Sequence, residues 1–278
     1  MRRNSILNYN AHHKVGRYLL LNMAATLILT AAQPSLGQTG QKTFASPGQA
    51  SQALYEALRS GNDQAVQAIL GAPELSSSGD AEADKLEREH FAKKYDEMHR
   101  LVREPDGSTV LYVGAENWPF PIPLAENNGQ WRFDSDSGSL EVQAREIGEN
   151  EAAAIQVCQS VSKANSPDAN QPSANDPVLK FERSLVASKN ADSARPEAFH
   201  GYYFRLSKSK SGDTLLVAYP AEYGASGVMT FVLARGSVYE RDLGPQTATA
   251  AQKISGKPTA KWNQVQWTDP TLTDYRLR

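Results

Sequence analysis

The side chains with the most chemical capacity in this sequence are few and scattered. Four acids, Glu116, Asp134, Glu222 and Asp242, flank the ends of expected strands. Glycoside cleavage needs two carboxyl groups facing each other across a cleft, one to protonate the leaving oxygen and one to serve as base or nucleophile. Glu116, Glu222 and Asp242 are the candidates for such a pair, against the plainer expectation that each caps a turn or faces water. Cys158 could serve as a nucleophile with His200 as its base, since such pairs are assembled in space. It lies between Val157 and Gln159, in line with Ala154 and Val161 on an alanine-rich helix, where a cysteine acts as a small apolar residue. His90 and His99 are nine positions apart and Glu89 precedes rather than separates them, so the two-histidine helix of a zinc hydrolase does not form. Gly-x-Ser-x-Gly, Ser-x-x-Lys and phosphate-binding glycine patterns do not occur. No metal and no cofactor is implied.

Aromatic residues offer a different chemistry. Trp118, Phe120, Tyr202, Tyr203, Phe204, Tyr219 and Tyr223 crowd two segments rich in proline and glycine. Strand alternation sends about half of them inward, and those left outside would make a patch suited to glycan or peptide contact. Trp118, Phe120, Tyr219 and Tyr223 are the expected binding surface.

The elements that must position these groups follow from periodicity and punctuation. Residues 44–70 predict a helical hairpin: Ser46 caps a first helix with Pro47 in its first turn, Ala50, Ala53, Leu54, Ala57 and Leu58 share a face, and Gly61 with Asn62 or Asp63 makes the turn. A third, highly charged helix is expected over Asp80–Leu101. Strands follow at Thr109–Val113, Ile122–Leu124 and Gln130–Phe133, the last two joined through Asn128-Gly129, the pair that a tight primed turn requires. The prolines of Trp118–Pro123 place that run at a sheet edge or corner. A helix over Leu140–Val161 precedes the polar, proline-rich stretch Ala164–Pro177. Four further strands, Tyr202–Leu206, Thr214–Tyr219, Val228–Leu233 and Ser237–Arg241, make an antiparallel meander. The fold class expected is α+β, with N-terminal helices on a curved antiparallel sheet and then a helix with a C-terminal meander. The expected divisions are 1–37, a signal peptide; 38–161, an N-terminal α+β domain ending in a helix; 162–198, a polar linker; and 199–278, a C-terminal β region and tail.

The start of the chain reads as an export signal. Arg2, Arg3, Lys14 and Arg17 precede the apolar run Tyr18–Ala32, and Ser35-Leu36-Gly37 offers small residues to a signal peptidase. That run is shorter than the ~20 residues that span a bilayer, so no stable membrane span is expected after cleavage. Removing residues 1–37 deletes four positive charges and takes the formal charge from -2 to -6. A mildly acidic protein is poorly suited to nucleic acid. A single cysteine allows no disulfide within the chain.

Several long runs resemble an uncharacterised bacterial exported-protein family, domain of unknown function 2950: FASPGQASQALYEAL (44–58), GAENWPFPIPLAENNGQWRFD (114–134), REIGENEAAAIQVCQS (145–160), HGYYFRL (200–206), AYPAEYGASGVMTFVL (218–233) and VYERDLGP (238–245). The resemblance implies a shared fold unit and brings no assigned activity. Between Val161 and Phe199 the chain departs from the family pattern, with a short polar segment in place of a longer insertion. By element order alone the N-terminal part also resembles nuclear-transport-factor-2-like domains, and the helix at Arg145–Ser160 with its following sheet resembles the globular half of type II pilin-like subunits.

These features predict a periplasmic or secreted cell-envelope protein with a non-enzymatic binding or structural role, whose partner is another envelope protein, a glycan or a peptide. The oligomeric state is left open. Two alternatives stand beside it: an envelope hydrolase using paired carboxylates, and a protein that encloses a small apolar ligand between the hairpin and sheet of residues 44–134.

Overall fold

The computed structural model describes residues 40–72, 75, 80–164, 177–187, 198–208 and 212–265. The expected export signal, most of the polar stretch Ala164–Pro177 and Trp267 lie outside the described residues. The protein is α+β, with antiparallel sheets throughout. Contacts divide it into two units, with the division between Arg145 and Glu146.

The first unit opens with the helical hairpin. Helix α1, Pro47–Arg59, starts where the Ser46 hydroxyl accepts from the Gln49 amide at 3.2 Å. Helix α2, Asp63–Leu70, is capped by Asn62, which accepts from the Ala65 amide at 3.0 Å, and stops at Gly71 in the left-handed region. Helix α3, Ala81–Glu97, is capped by Asp80. The sequence predicts α3 to continue to Leu101, but His99–Arg103 is a strand, β1. Met98 turns extended, and the alternation in His-Arg-Leu-Val-Arg then sets Leu101 opposite the buried Leu111. A helical continuation would have lost that pairing.

Strands β2 (Thr109–Val113), β3 (Trp118–Pro119), β4 (Leu124–Asn127) and β5 (Gln130–Phe133) complete the first sheet, in the order β1-β2-β4-β5 with β3 against β2. Asn128 and Gly129 have φ of 51° and 75° and close the β4–β5 hairpin as their chemistry requires. The proline-rich run forms the corner: Trp118, Phe120, Ile122 and Leu124 point inward in turn, while Pro119 and Pro123 occupy the less buried positions between them. The core of this unit holds Leu54, Ile69, Phe91, Leu111, Phe120 and Phe133. Phe120 packs edge-on against Phe91, Trp118 and Phe133, with centroids 5.7, 6.2 and 5.9 Å away.

Helix α4, Ser135–Ala164, starts after Asp134, which accepts from the Ser137 amide and hydroxyl. The division between units therefore falls within this helix, not inside 162–198. Its later residues Ala154, Val157, Cys158 and Val161 belong to the core of the second unit. Within the expected linker, Pro177–Ala187 is a helix, α5. Val178, Phe181 and Leu185 give it an apolar stripe too short to stand out between polar flanks.

The second sheet runs β10-β9-β8-β7-β6, from β6 (Tyr202–Lys208), β7 (Thr214–Pro220), β8 (Met229–Ala234), β9 (Ser237–Asp242) and β10 (Asn263–Gln264). The meander strands fall within one or two residues of their expected bounds. One face packs Tyr202, Phe204, Leu216, Ala218, Phe231 and Leu233 against α4 and α5. The other packs Leu215, Val217, Tyr219, Val232 and Ala234 against Ala251 of α6 (Thr247–Gln252) and the segment carrying Ile254 and Trp262. Arg205 donates to the carbonyls of Ala251 and Ile254 at 2.9 and 2.7 Å, closing the end of α6. Sheet faces covered on both sides explain why β7 is buried continuously from Leu215 to Pro220.

Candidate functional site

The densest polar constellation in the interior lies in the second unit, where α4 meets the connection between β7 and β8. The strands pair only as far as Ala218 and Phe231. Tyr219 and Pro220 stay paired with β6 and Met229 and Thr230 with β9, while Ala221–Val228 leaves the ladders and must find other partners. Asn150 and Glu151, adjacent on α4 and both buried, supply them. The Asn150 amide donates to Ser226 O at 3.0 Å, and Glu151 Oε1 accepts from the Val228 and Met229 amides at 3.0 Å each.

The connection is also folded on itself. Ser226 Oγ donates to Gly201 O at 2.8 Å and accepts from the Glu222 amide at 3.0 Å. Tyr202, fully buried, donates its hydroxyl to Met229 O at 2.9 Å. Gly227 is required by close approach, because a Cβ there would come within 2.6 Å of the Tyr202 ring. Gly201 has φ of 66° and a Cβ on it would meet Asn150 and Ser226 at 2.8 Å.

The electrostatics are acidic. Met229 pairs with Asp242 and Phe231 with Glu240, and direct cross-strand partners share a face. Glu240 and Asp242 thus stand on the helix-facing side of the sheet with Glu151. Burial pushes the Glu151 carboxyl above the usual range, the two amide hydrogen bonds pull against that, and the charge of Asp242 adds to the rise. Burial and the charge of Glu151 raise Glu240 likewise. Burial raises the Tyr202 hydroxyl strongly, so it remains a donor at any ordinary pH. A buried acid whose carboxyl is raised in this way is a candidate proton donor, and it can equally hold a backbone segment.

Asp242 thus belongs to this constellation. It accepts from Tyr223 Oη at 3.1 Å and from the Gly244 amide at 2.7 Å, which makes it a turn cap as well. Glu222 sits at the start of the connection with its side chain exposed. Glu116 lies in the first unit, ion-paired with Lys94 at 2.9 Å. Of the three acids singled out in the sequence, Glu116 belongs to the first unit and Glu222 and Asp242 to the second. Asp134 caps α4.

The expected aromatic surface is corrected by burial: Trp118, Phe120 and Tyr219 are 2, 1 and 4 % exposed and belong to cores. Their inward positions follow from the pleat, since the corner run turns every second residue inside. Tyr223 alone of the four is half-exposed. Cys158 is fully buried and its thiol is pushed up to about 12 by that burial, which leaves it inert as a nucleophile. His99 stacks on Tyr95 at 3.9 Å and its Nδ1 meets Tyr95 O at 2.9 Å. Among the described residues no three histidine, cysteine, aspartate or glutamate side chains are grouped to hold a metal ion.

Sequence reasoning missed Asn150, Glu151, Tyr202 and Ser226. One signal was available: Glu151 stands at i+4 from Ile147 and i−3 from Ala154, inside the apolar stripe of its helix. An acid in that stripe must be either buried with partners or a break in the pattern.

The chain matches the family described as Protein of unknown function (DUF2950) over residues 41–193 and 182–265, and it belongs to that family. The two matched stretches overlap over residues 182–193. No curated protein and no solved structure matches the chain, so the likeness to nuclear-transport-factor-2-like domains stays one of element order.

Proposed function

We propose that this is an exported protein of the cell envelope, periplasmic or released, that works by binding or supporting another envelope component and not by catalysis. The export part is supported by the basic start and apolar run of residues 1–37. The non-catalytic part is supported by one observation above others: three of the acids that a hydrolase could use already hold other groups of the protein. Glu116 holds Lys94, Asp242 holds Tyr223 and Gly244, and Glu151 holds Val228 and Met229. Recognition then falls to the acidic end of the second unit, where Glu222 and Asp242 are exposed around the half-exposed Tyr223. A basic peptide segment of another envelope protein suits that charge.

Expression in a bacterial host with intact-mass analysis tests the first part; the expected product lacks residues 1–37, and an unprocessed cytoplasmic chain would overturn it. A thermal-shift screen against cationic peptides, peptidoglycan fragments, glycans and lipids tests the second, because a ligand of the folded state raises the melting temperature by mass action. A shift with a cationic peptide that Tyr223→Ala removes is the expected result.

The hydrolase reading has one observation in its favour, the raised carboxyl of Glu151 beside Asp242. Against it, Glu151 is 5 % exposed and one of its oxygens already serves two amides. Turnover of a glycan substrate that Glu151→Gln abolishes without unfolding the protein would favour it.

A further inference from the structure

The first sheet has two edges, and the chain covers one of them itself. Beyond β5, Phe44 bridges to Trp131, its amide donating to Trp131 O at 2.8 Å and its carbonyl accepting from the Trp131 amide at 2.7 Å. The other edge is β1, which pairs with β2 and with no second strand. The parity of that ladder is fixed at its ends. Gly114 N donates to Met98 O at 2.8 Å and Glu104 N to Ser108 O at 2.9 Å, so Arg100 and Val102 between them exchange their backbone bonds with β2. His99, Leu101 and Arg103 then turn their N–H and C=O groups outward. The same parity shows across β2, where Leu111, the partner of Leu101, accepts from the Phe120 amide at 2.7 Å on the far side. No described residue takes up the outward backbone groups of β1.

We propose that β1 is a docking edge that takes an extended acidic segment of another protein as an added strand. This site lies in the first unit and does not depend on the recognition proposed for the second.

Free edges are ordinarily blunted by a proline, a bulge or a covering element. The run His-Arg-Leu-Val-Arg contains no proline, and it pairs in unbroken register from His99 opposite Val113 to Arg103 opposite Thr109. What guards it is positive charge. Arg100 is exposed, held over the Tyr112 ring at 4.8 Å with its Nε donating to Asn117 Oδ1 at 2.8 Å, and Arg103 is exposed at the strand end. Neither forms an ion pair with another described residue. The acids nearby are engaged elsewhere: Asp96 accepts from Tyr55 Oη at 2.6 Å, Glu97 pairs with Lys94 at 3.1 Å, and Asp106 accepts from the Ser108 amide and hydroxyl. Glu104 follows Arg103 and by alternation turns to the opposite face.

That charge selects the occupant. A second copy of β1 laid antiparallel about Leu101 would set the two Arg100 side chains diagonally on one face, a like-charge contact. A strand with carboxylates opposite Arg100 and Arg103 makes opposite-charge pairs instead. An apolar side chain opposite Leu101, which packs against the first core, continues that layer. Main-chain bonds then supply affinity and the side-chain pairs specificity.

Amide NMR spectra of the full chain, titrated with the end-blocked peptides TEVVET and TKVVKT, test the docking edge. Running antiparallel to β1, TEVVET sets its glutamates opposite Arg103 and Arg100 with valines between. Saturable binding is expected at millimolar concentration or below. The His99, Leu101 and Arg103 amides should shift and gain protection from exchange, while Arg100 and Val102 are protected throughout. TKVVKT is expected to leave those amides unmoved, and added salt to weaken TEVVET. Arg100→Gln combined with Arg103→Gln is expected to weaken TEVVET about tenfold, through the loss of the exposed cross-strand charge pairs. Arg103→Pro, whose nitrogen faces away from β2 and so spares that pairing, should weaken it by at least about tenfold. No saturable shift at β1 up to millimolar TEVVET overturns the proposal, as does binding that Arg103→Pro leaves untouched or that TKVVKT equals. Self-association of the full chain that Arg103→Pro dissolves would place a second copy on the edge and overturn the acidic partner. If Arg103→Pro fails to fold, Arg103→Glu decides: TEVVET binding as tight as that of the parent chain overturns the proposal.

Discussion

The two sheets of this protein are built from similar strands and solve burial differently. In the first unit β2 buries Thr109, Leu111 and Val113 and leaves Val110 and Tyr112 half-covered, the alternation of a strand with one fully packed face. In the second unit β7 is buried without a break from Leu215 to Pro220, because α4 and α5 cover one face and α6 with the segment behind it covers the other. Charge follows the same division. The first unit holds Glu116 and Asp63 in ion pairs, with Lys94 and Arg88, and buries one acid, Asp84 of α3. The second takes Glu151 inside and satisfies it with backbone amides. A one-sided sheet can leave its polar groups to water, whereas a two-sided sheet must find each one an internal partner.

Four comparisons probe that contrast. The largest effect is expected from Phe120→Ala, which empties a position between Phe91, Trp118 and Phe133 and should cost about 3–5 kcal/mol in chemical denaturation. Tyr223→Ala, at a half-exposed position, should cost under about 1 kcal/mol. Equal costs would return Phe120 to the surface role that its sequence invites.

Next comes the interior acid. Glu151→Ala strands the Val228 and Met229 amides, at about 1–3 kcal/mol for each buried group left without a partner. Glu151→Gln keeps the accepting oxygen and should lose none of that stability. If the two variants unfolded together at the same denaturant concentration, the clamp on the connection would be refuted.

Gly227→Ala should cost about 1–3 kcal/mol through overpacking against the buried Tyr202 ring. Gly129→Ala, in open space at φ of 75°, bears only the backbone penalty of about 1 kcal/mol. Equilibrium unfolding of both would rank close approach against turn geometry.

The smallest effect is a pH dependence confined to the second unit. A carboxyl whose pKa rises on folding binds its proton more tightly in the native state. Its contribution is fully present below the ordinary value of 4.5 and is lost as pH rises through the folded value. The melting temperature of Glu151→Gln should therefore exceed that of the parent chain at neutral pH, with the gap closing toward pH 4.5. A gap that widens on acidification would mean that Glu151 is held as a charge.

The same contrast explains what was legible in the sequence. Ser46, Asn62, Asp80 and Asn128-Gly129 announce their caps and turns because each is a local choice between neighbours in the chain. The meander strands are legible for the same reason, bounded as they are by turn residues. The faces of those strands are not, since continuous apolar runs carry no alternation to say which side meets α4. The end of α3 was misjudged because its charged residues fit a helix as well as a strand, and pairing of Leu101 with Leu111, ten positions on, decides between them. The Trp118–Pro123 corner was misjudged because its composition invites a surface while its pleat sends the aromatics inside. The clamp at Asn150 and Glu151 joins residues more than seventy positions apart in sequence, a relation no local pattern contains.

Cys158 turns the second unit into its own timekeeper. As the chain's only cysteine, fully enclosed beneath the sheet with its thiol pushed up to about 12, it has nothing to react with until helix and sheet part. A thiol reagent added to the native protein then has a single address, and the rise of one added mass counts the molecules whose second core has opened. Opening confined to the first unit leaves that count at zero, so one sulfur atom separates the two unfolding events without any label being built in.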